Sequence, residues 1–201
     1  MSAPQRPTLV LLAGPNGAGK TTLYETRVAP SLNVPFINAD LIQRDELKDP
    51  RVEASYEAAK IAEDRRRAFY DDVSSFATET VFSHVSKLDL IEEARRRGYR
   101  IFLFHVGVGS ADLSVARVAD RVKEGGYTVP EAKIRARYDR NGPLIREAAL
   151  LADFAHVYDN SALHQPPERV LSMKAGRVSF VAPTLPDWVR KTYKKDIVAA
   201  G

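Results

Sequence analysis

A chain of 201 residues, of which 44% are hydrophobic and 28% charged, can bury a hydrophobic core and predicts one globular domain. Its lack of cysteine excludes disulfide bonds and thiolate metal sites and favours the cytoplasm, and no apolar run approaches the ~20 residues that span a bilayer. The formal net charge of +4 suits a nucleic-acid binder or a site that collects phosphate groups, so the placement of the arginines must separate these two classes.

Apolar runs of strand length alternate with helical patterns along most of the chain. The predicted strands are Thr8–Ala13, Val34–Ala39, Ser75–Phe82, Arg100–Val108 and Ala155–Ser161. Helices are predicted from about Lys20, over Glu53–Tyr70, over Leu88–Arg97 and on both sides of Gly125–Pro130. This alternation predicts an α/β fold with a three-layer, mainly parallel, five-stranded sheet. A small hairpin that turns at Ala175–Gly176 and a short helix are predicted to form a C-terminal extension, 162–201, beyond a core of about 8–161.

The stretch GPNGAGKT directly follows the first predicted strand and fits the pattern G-x-x-x-x-G-K-[ST] without a mismatch. Glycines allow backbone N–H groups to turn towards phosphate oxygens, and the following helix adds the positive end of its dipole. Lys20 is predicted to reach the β- and γ-phosphates of ATP, and the Thr21 hydroxyl to hold Mg²⁺. The predicted nucleotide site comprises Gly14, Pro15, Asn16, Gly17, Ala18, Gly19, Lys20, Thr21 and Thr22.

Polar residues at the ends of the second and third predicted strands bear on where the γ-phosphoryl group goes. P-loop ATPases and GTPases place a carboxylate that binds the metal at the end of an apolar strand. The most apolar strand here ends in His105-Val106 instead. Asp40 follows the second strand, where it could accept the proton of an alcohol or merely cap the next helix. Asn38 shapes the same turn or binds the acceptor. Glu79 could orient water on the metal or hold a substrate hydroxyl. Asp40, together with a lid, favours transfer to an alcohol over hydrolysis.

Basic side chains lie on both sides of Gly125–Pro130. Arg117 and Arg121 share one helical face, and Arg137 and Arg140 share another. Glycines and proline interrupt the chain between them, which predicts a helix–turn–helix lid that closes over the cleft. Because the guanidinium fork suits the oxygens of a transferring phosphoryl group, we expect Arg121, Arg137 and Arg140 to contribute to catalysis, although each could instead be a solvated surface residue.

In this order, several segments resemble the short zeta-toxin-like P-loop kinases. The segments that carry the resemblance are GPNGAGKTT, FINAD, FATETV, RVADRVKEGGYTVPEAKIRARYDR and VYDNS, between Thr8 and Ser161. The resemblance implies ATP-dependent phosphorylation of a sugar hydroxyl in a UDP-N-acetylhexosamine, chiefly UDP-N-acetylglucosamine. It also implies that a small antitoxin protein blocks the nucleotide site, as in toxin–antitoxin systems.

The same resemblance implies roles for individual residues. Asp40 corresponds to the base, Glu79 and Thr80 face the substrate, and the arginines of the lid bind phosphates. Asn160, just past the fifth strand, corresponds to a position near the adenine.

Two departures from the family bear on the acceptor. Longer members have a glycine and an arginine shortly after the glutamate of the third strand, whereas this chain reads ETVFSH, so Ser83 or His84 would have to replace that arginine's sugar-nucleotide contacts. The lid reads GGY, with Tyr127, where the family often has Gly-Gly-His. Runs of arginine at 65–67 and 95–97 are expected to be solvated helix faces.

Other functions stay open at this point. The acceptor could be a nucleoside, the ribose of a dinucleotide or a polynucleotide end, and the chain could also be a nucleotide-dependent regulator. A nucleic-acid partner is disfavoured because no basic groove with interleaved aromatic residues is evident. Tyr56 and Phe69 are expected to pack the long helix, and Trp188 to pack the terminal helix onto the domain.

Overall fold

The computed structural model describes residues 6–123, 126 and 128–199, and a seven-stranded sheet forms the middle layer of these residues. In chain order the strands are β1 (Thr8–Ala13), β2 (Phe36–Ile37), β3 (Phe76–Thr80), β4 (Arg100–Gly107), β5 (Phe154–Asp159), β6 (Glu168–Lys174) and β7 (Arg177–Val181). Their spatial order is β2-β3-β1-β4-β5-β6-β7. The first five pair in parallel and the last two antiparallel. The predicted α/β class with a mainly parallel sheet is confirmed.

The C-terminal hairpin differs from the prediction in its placement. It turns where expected, with positive φ angles of 48° at Ala175 and 73° at Gly176. However, β6 pairs with β5 along its length, so the hairpin extends the sheet from the five predicted strands to seven. Pairing covers the edge that β5 would otherwise expose, which is the physical reason for this addition.

Helices connect the strands and complete the layers. They are α1 (Lys20–Leu23), α2 (Ala39–Leu41), α3 (Val52–Asp71), α4 (Leu88–Arg96), α5 (Ala111–Lys123), α6 (Glu131–Leu151) and α7 (Asp187–Val198). The first two continue as π-helical turns, Tyr24–Val28 and Ile42–Leu47, and a 3₁₀ turn, Val85–Lys87, precedes α4. No helix of the described residues combines the length and the apolar character that a membrane crossing requires.

Alternate residues of β1 face opposite layers, as the two-residue period of a strand requires. Leu9 and Leu11 pack in a core with residues of α3, α4, α6 and α7. Val10 and Leu12 face the opposite side, where they pack against the turn that follows α1. All four of these β1 side chains are fully buried, so both faces of the sheet are covered and the predicted three-layer arrangement is confirmed.

Strand order brings the polar residues at the strand ends together. Because β3 lies between β2 and β1, the segments that follow these three strands meet at one edge of the sheet. The register pairs Leu12 with Glu79 and Ala13 with Thr80. The second strand is shorter than predicted, only Phe36–Ile37, because Asn38 already begins the cap of α2.

The terminal helix packs onto the sheet as expected for Trp188. Its indole Nε1 donates a 2.7 Å hydrogen bond to Asp159 Oδ1 at the end of β5. The buried Tyr193 hydroxyl lies 2.8 Å from His105 Nδ1 on β4. Burial lowers the pKa of His105 to about 3, so this imidazole is neutral at physiological pH and serves packing.

Candidate active site

The turn between β1 and α1 has the backbone that a phosphate-binding loop requires. Gly19 has a φ of 84°, and a Cβ there would lie 2.5 Å from the Asn160 side-chain amide. A Cβ on Gly14 would lie 1.9 Å from the Val106 carbonyl oxygen. Only glycine fits at these two positions, so the glycine pattern follows from local geometry as well as from ligand access.

Lys20, Thr21 and Glu79 converge at the start of α1. The Lys20 side chain is only 5% exposed, donates a 3.0 Å hydrogen bond to the Pro15 carbonyl oxygen, and lies 3.4 Å from Glu79 Oε1. The Thr21 hydroxyl donates a 2.7 Å hydrogen bond to Glu79 Oε2. A hydroxyl and a carboxylate at this distance are oxygen ligands of the kind that Mg²⁺ takes together with phosphate oxygens and water. The residues present therefore fit a magnesium ion.

Asn38 connects the segment after β2 to this cluster. Its Oδ1 accepts hydrogen bonds from the backbone N–H groups of Asp40, at 2.8 Å, and Leu41, at 3.4 Å. Its Nδ2 donates a 3.0 Å hydrogen bond to Glu79 Oε2. Asn38 is therefore the N-cap of α2, a role that the sequence had offered to Asp40.

Because Asn38 caps α2, the Asp40 carboxylate is not needed as a cap and faces the cleft. Its side chain is 63% exposed, and Oδ2 lies 3.6 Å from Arg121 Nη1 of α5. This contact joins the segment after β2 to the lid. An exposed ion pair of this kind adds little stability, so the carboxylate can exchange it for a ligand hydroxyl at small cost.

The lid arginines do not all point the same way. Arg117, Arg121 and Arg137 line the cleft, whereas Arg140 is exposed and lies outside its lining. Burial lowers the pKa of Arg137, an effect that the neighbouring Asp40 carboxylate opposes. The cleft thus holds a carboxylate at one wall and desolvated guanidinium groups at the other.

Both lid helices contact the phosphate-binding loop through Asn16. The buried Ser114 hydroxyl of α5 bonds to the Asn16 carbonyl oxygen, and Arg137 Nη1 of α6 lies 3.4 Å from Asn16 Oδ1. Gly125 and Tyr127, on which the predicted turn of the lid depends, lie outside the described residues. The two predicted helices on either side are confirmed as α5 and α6.

The cleft has a volume of about 770 Å³ and contains most of the predicted substrate residues. Thr80 and Ser83 line it, together with Asn38, Asp40 and Glu79. His84 does not line it, because its ring turns to Ser86 Oγ at 2.9 Å. Asn160 Nδ2 donates a 2.9 Å hydrogen bond to the Ala18 carbonyl oxygen, which places it against the phosphate-binding loop.

One face of α3 forms a wall of the cleft that sequence reasoning missed. Its lining residues are Val52, Ser55, Tyr56, Ala59, Lys60, Ala62, Glu63 and Arg66. Tyr56 was expected to pack the helix but is 65% exposed, and Lys133 Nζ lies 5.7 Å from its ring centroid. The spacing of three and four residues was the signal for a shared face, although it did not say what that face meets.

Replacement of Asn38 tests how the site is held together. We expect Asn38→Ala to lower the free energy of unfolding by about 1–3 kcal/mol, because it removes both an N-cap and a buried amide hydrogen bond. Urea-induced unfolding measures this change. Asn33→Ala, at an exposed position without a side-chain hydrogen bond in the described residues, is the matched control. An unfolding midpoint for Asn38→Ala equal to that of the control would show that Asn38 does not hold α2 in place.

Known proteins share sequence and fold with this chain. The family model for the zeta toxin matches residues 1–162. An uncharacterised protein of Haemophilus influenzae is 23% identical over 129 residues, which are 64% of this chain and 91% of that protein.

Solved structures share the fold at low sequence identity. A chain of the AvrRxo1-ORF1:ORF2 complex with ATP matches with a TM-score of 0.68 and 16% identity, over 96% of this chain and 64% of that chain. A chain of the PezAT chromosomal toxin–antitoxin system of Streptococcus pneumoniae matches with a TM-score of 0.59 and 19% identity, over 80% of this chain and 70% of that chain. This chain therefore spans slightly less than two thirds of the AvrRxo1 chain.

Proposed function

The chain belongs to the zeta toxin family of P-loop phosphotransferases, and we propose that it transfers the γ-phosphoryl group of ATP to a hydroxyl of a UDP-N-acetylhexosamine such as UDP-N-acetylglucosamine. The observation that carries the proposal is the arrangement of Lys20, Asp40 and Arg121 around one cleft. Transfer to an alcohol requires a cation that binds the phosphates, a carboxylate that takes the hydroxyl proton and a guanidinium group from the lid.

ATP binds with its phosphates in the turn between β1 and α1. Backbone N–H groups of Asn16, Gly17 and Gly19 surround the phosphate oxygens, and Lys20 neutralises the β- and γ-phosphates. Thr21 and Glu79 would hold Mg²⁺, which neutralises phosphate charge when it is bound. Asn160 fixes the loop through Ala18 on the side where we place the adenine.

Asp40 acts as the base for the acceptor. Its carboxylate takes the hydroxyl proton while the acceptor oxygen forms a bond to the γ-phosphorus and the bond from that phosphorus to the β–γ bridging oxygen breaks. The products are the phosphorylated acceptor and ADP. Thr80 and Ser83, which line the cleft beyond Glu79, would orient the sugar.

The lid supplies the positive charge and excludes water. We assign this role to Arg121 and Arg137, which line the cleft; Arg140 is exposed outside the lining and neighbours Arg137. Desolvated guanidinium groups stabilise the charge on the equatorial oxygens more strongly than solvated ones do. Closure of α5 and α6 over the site would then favour an alcohol over water as the acceptor.

A small antitoxin protein is the partner that we propose. The family membership supports it, and the PezAT relative is a chain of a named toxin–antitoxin system. A protein that covers the cleft mouth would block ATP binding. Because cells supply ATP in the cytoplasm, we place the reaction there.

A transfer assay with several acceptors tests the proposed function. The protein is incubated with ATP, Mg²⁺ and, in parallel reactions, UDP-N-acetylhexosamines, nucleosides, a dinucleotide and a 5′-hydroxyl oligonucleotide. Mass spectrometry then detects the addition of one phosphate group. We expect it on a UDP-N-acetylhexosamine; phosphate on another acceptor alone would replace this substrate, and release of inorganic phosphate without any phosphorylated acceptor would contradict the kinase assignment.

Arg137→Gln tests the role of the lid. We expect kcat to fall about 10²-fold, as for loss of one donor to transition-state charge, with a smaller change in ATP affinity. Arg140→Gln should have a smaller effect than Arg137→Gln, because Arg140 lies outside the cleft lining. Arg95→Gln, at an exposed arginine of α4 outside the cleft lining, is the control. Steady-state kinetics separate these effects, and a loss confined to ATP affinity would contradict the assignment.

A further inference from the structure

Two cationic side chains line the cleft away from the phosphate-binding loop. Arg66 extends from α3, and Lys87 comes from the 3₁₀ turn before α4. Neither makes a hydrogen bond or an ion pair with a side chain or backbone group among the described residues, and Arg66 Nε is buried without a partner. A buried donor without a partner is costly, so the position of Arg66 requires an explanation.

The surroundings of Arg66 do not neutralise it. Burial lowers its pKa, and the nearby Glu63 carboxylate offsets this only in part. Glu63 itself lies 3.7 Å from Arg67, one residue further along the helix, and so pairs there. Arginine stays protonated in proteins, so the Arg66 guanidinium is a charged and largely desolvated group. It can donate hydrogen bonds to an anion.

The Lys87 ammonium group shares this environment. Burial and the neighbouring charge of Arg66 both lower its pKa, whereas Glu63 and Asp89 raise it. Two cations that repel each other in a partly desolvated wall cost stability unless an anion joins them. Lys60, exposed on α3 between Tyr56 and Arg66, adds a third positive charge to the lining of the cleft.

Arg66 is far enough from the transfer end of the cleft to bind a second group of the same acceptor molecule. Tyr56 marks the transfer end of α3, because Tyr56 and Asp40 both neighbour the lid residue Arg137. Arg66 lies ten residues further along the same helix, which corresponds to about 15 Å at 1.5 Å per residue. A molecule that places a hydroxyl at Asp40 and extends along α3 would therefore bring its other end to Arg66 and Lys87.

We propose that Arg66 and Lys87 form a subsite that binds an anionic group, a phosphate or a carboxylate, of the acceptor whose hydroxyl is phosphorylated at Asp40. This inference rests on the proposed kinase function and adds a determinant of acceptor specificity. The guanidinium fork and the ammonium group together donate charge-assisted hydrogen bonds to such an anion. An uncharged sugar would leave both cations unpaired and would bind more weakly.

Kinetics with charged and uncharged acceptors test the subsite. Wild-type protein, Arg66→Gln and Lys87→Gln are compared on N-acetylglucosamine, its 1-phosphate, UDP-N-acetylglucosamine and glucuronic acid. We expect each substitution to raise KM for the anionic acceptors about tenfold or more, from the loss of a charge-assisted hydrogen bond. KM for ATP and KM for the uncharged sugar should stay within about twofold, because neither ligand would contact Arg66 or Lys87. The phosphate and carboxylate acceptors show which anion the subsite prefers.

Arg95→Gln is the matched control, because Arg95 is exposed on α4 and its side chain makes no hydrogen bond or ion pair among the described residues. Thermal unfolding checks that each variant folds, and Lys87→Gln, on a different element, provides a second test if Arg66→Gln does not fold. Wild-type kinetics that do not distinguish charged from uncharged acceptors would overturn the subsite and leave the kinase function intact. The subsite would also be overturned if neither variant changed KM for the anionic acceptors.

Direct binding separates failure of the subsite from failure of the function. Calorimetry measures the binding of N-acetylglucosamine 1-phosphate and UDP-N-acetylglucosamine to wild-type protein saturated with a non-hydrolysable ATP analogue. Tighter binding than that of N-acetylglucosamine, lost in both variants but not in Arg95→Gln, supports the subsite even if no transfer is detected. Equal binding of charged and uncharged ligands, or no binding of the anionic ligands, overturns it.

Discussion

Lys20→Ala is expected to lower kcat/KM for phosphoryl transfer by about 10³-fold or more, because it removes the ammonium group that we assign to the β- and γ-phosphates. Lys20 is held in place by the Pro15 carbonyl oxygen at 3.0 Å and by Glu79 at 3.4 Å. Because burial and these two contacts hold the ammonium group in the loop, we expect its contribution to the transition state to be large. ATP affinity should fall as well, since the same contacts exist in the ground state.

Two measurements test the effect of Lys20→Ala. Calorimetry with an ATP analogue and the transfer assay report ground-state binding and turnover separately. Lys191→Ala, at an exposed lysine of α7 without a hydrogen bond or ion pair in the described residues, is the matched control. Circular dichroism confirms that the variants fold. Transfer by Lys20→Ala at the rate of the control would contradict the assignment of the phosphate-binding loop.

Asp40→Asn is expected to lower kcat by about 10²–10⁴-fold, the range for loss of a positioned general base. The substitution preserves size, and the backbone N–H of residue 40 still donates to Asn38, so the cap of α2 stays intact. Asp40 has no hydrogen bond to the phosphate-binding loop in the described residues, and KM for ATP should therefore change only a few-fold. A fall in kcat without a fall in ATP affinity is the signature of a group that acts on the acceptor.

The control for Asp40→Asn is Asp45→Asn, in the π-helical turn that continues α2. Asp45 is exposed and pairs with Arg44, its neighbour in sequence, at 2.6 Å. Both substitutions remove one negative charge from the same segment, so general electrostatic effects cancel in the comparison. A kcat near the wild-type value in Asp40→Asn would limit Asp40 to its ion pair with Arg121.

Local patterns were sufficient to predict the parts of the fold that depend on local chemistry. The glycines and Lys20 specify the loop after β1 through backbone geometry that the neighbouring Val106 and Asn160 only reinforce. Apolar period and strand ends then placed Asp40 and Glu79 at one edge of a parallel sheet, which the observed strand order brings together.

Contacts between distant segments decided what the sequence could not. The choice between Asn38 and Asp40 as cap depends on Glu79, which binds the Asn38 amide from another strand. Whether the C-terminal hairpin stands apart or extends the sheet depends on the free edge of β5. Neither neighbour is visible in the local sequence.

The arginine run at 65–67 shows the same limit within one helix. Successive residues point about 100° apart, so three identical side chains meet three different environments. Arg65 pairs with Glu46, Arg67 lies near Glu63, and Arg66 turns towards the cleft. The expectation of a solvated face was therefore wrong for Arg66, because only the packing of α3 shows which of the three residues faces inwards.

A crystal structure with Mg²⁺, a non-hydrolysable ATP analogue and the acceptor found in the transfer assay tests the central claim most directly. The account predicts that one acceptor hydroxyl lies about 2.6–3.2 Å from the Asp40 carboxylate, in line with the bond from the γ-phosphorus to its bridging atom. The same structure would contradict the account if Asp40 pointed away from the γ-phosphate and the acceptor hydroxyl were held elsewhere.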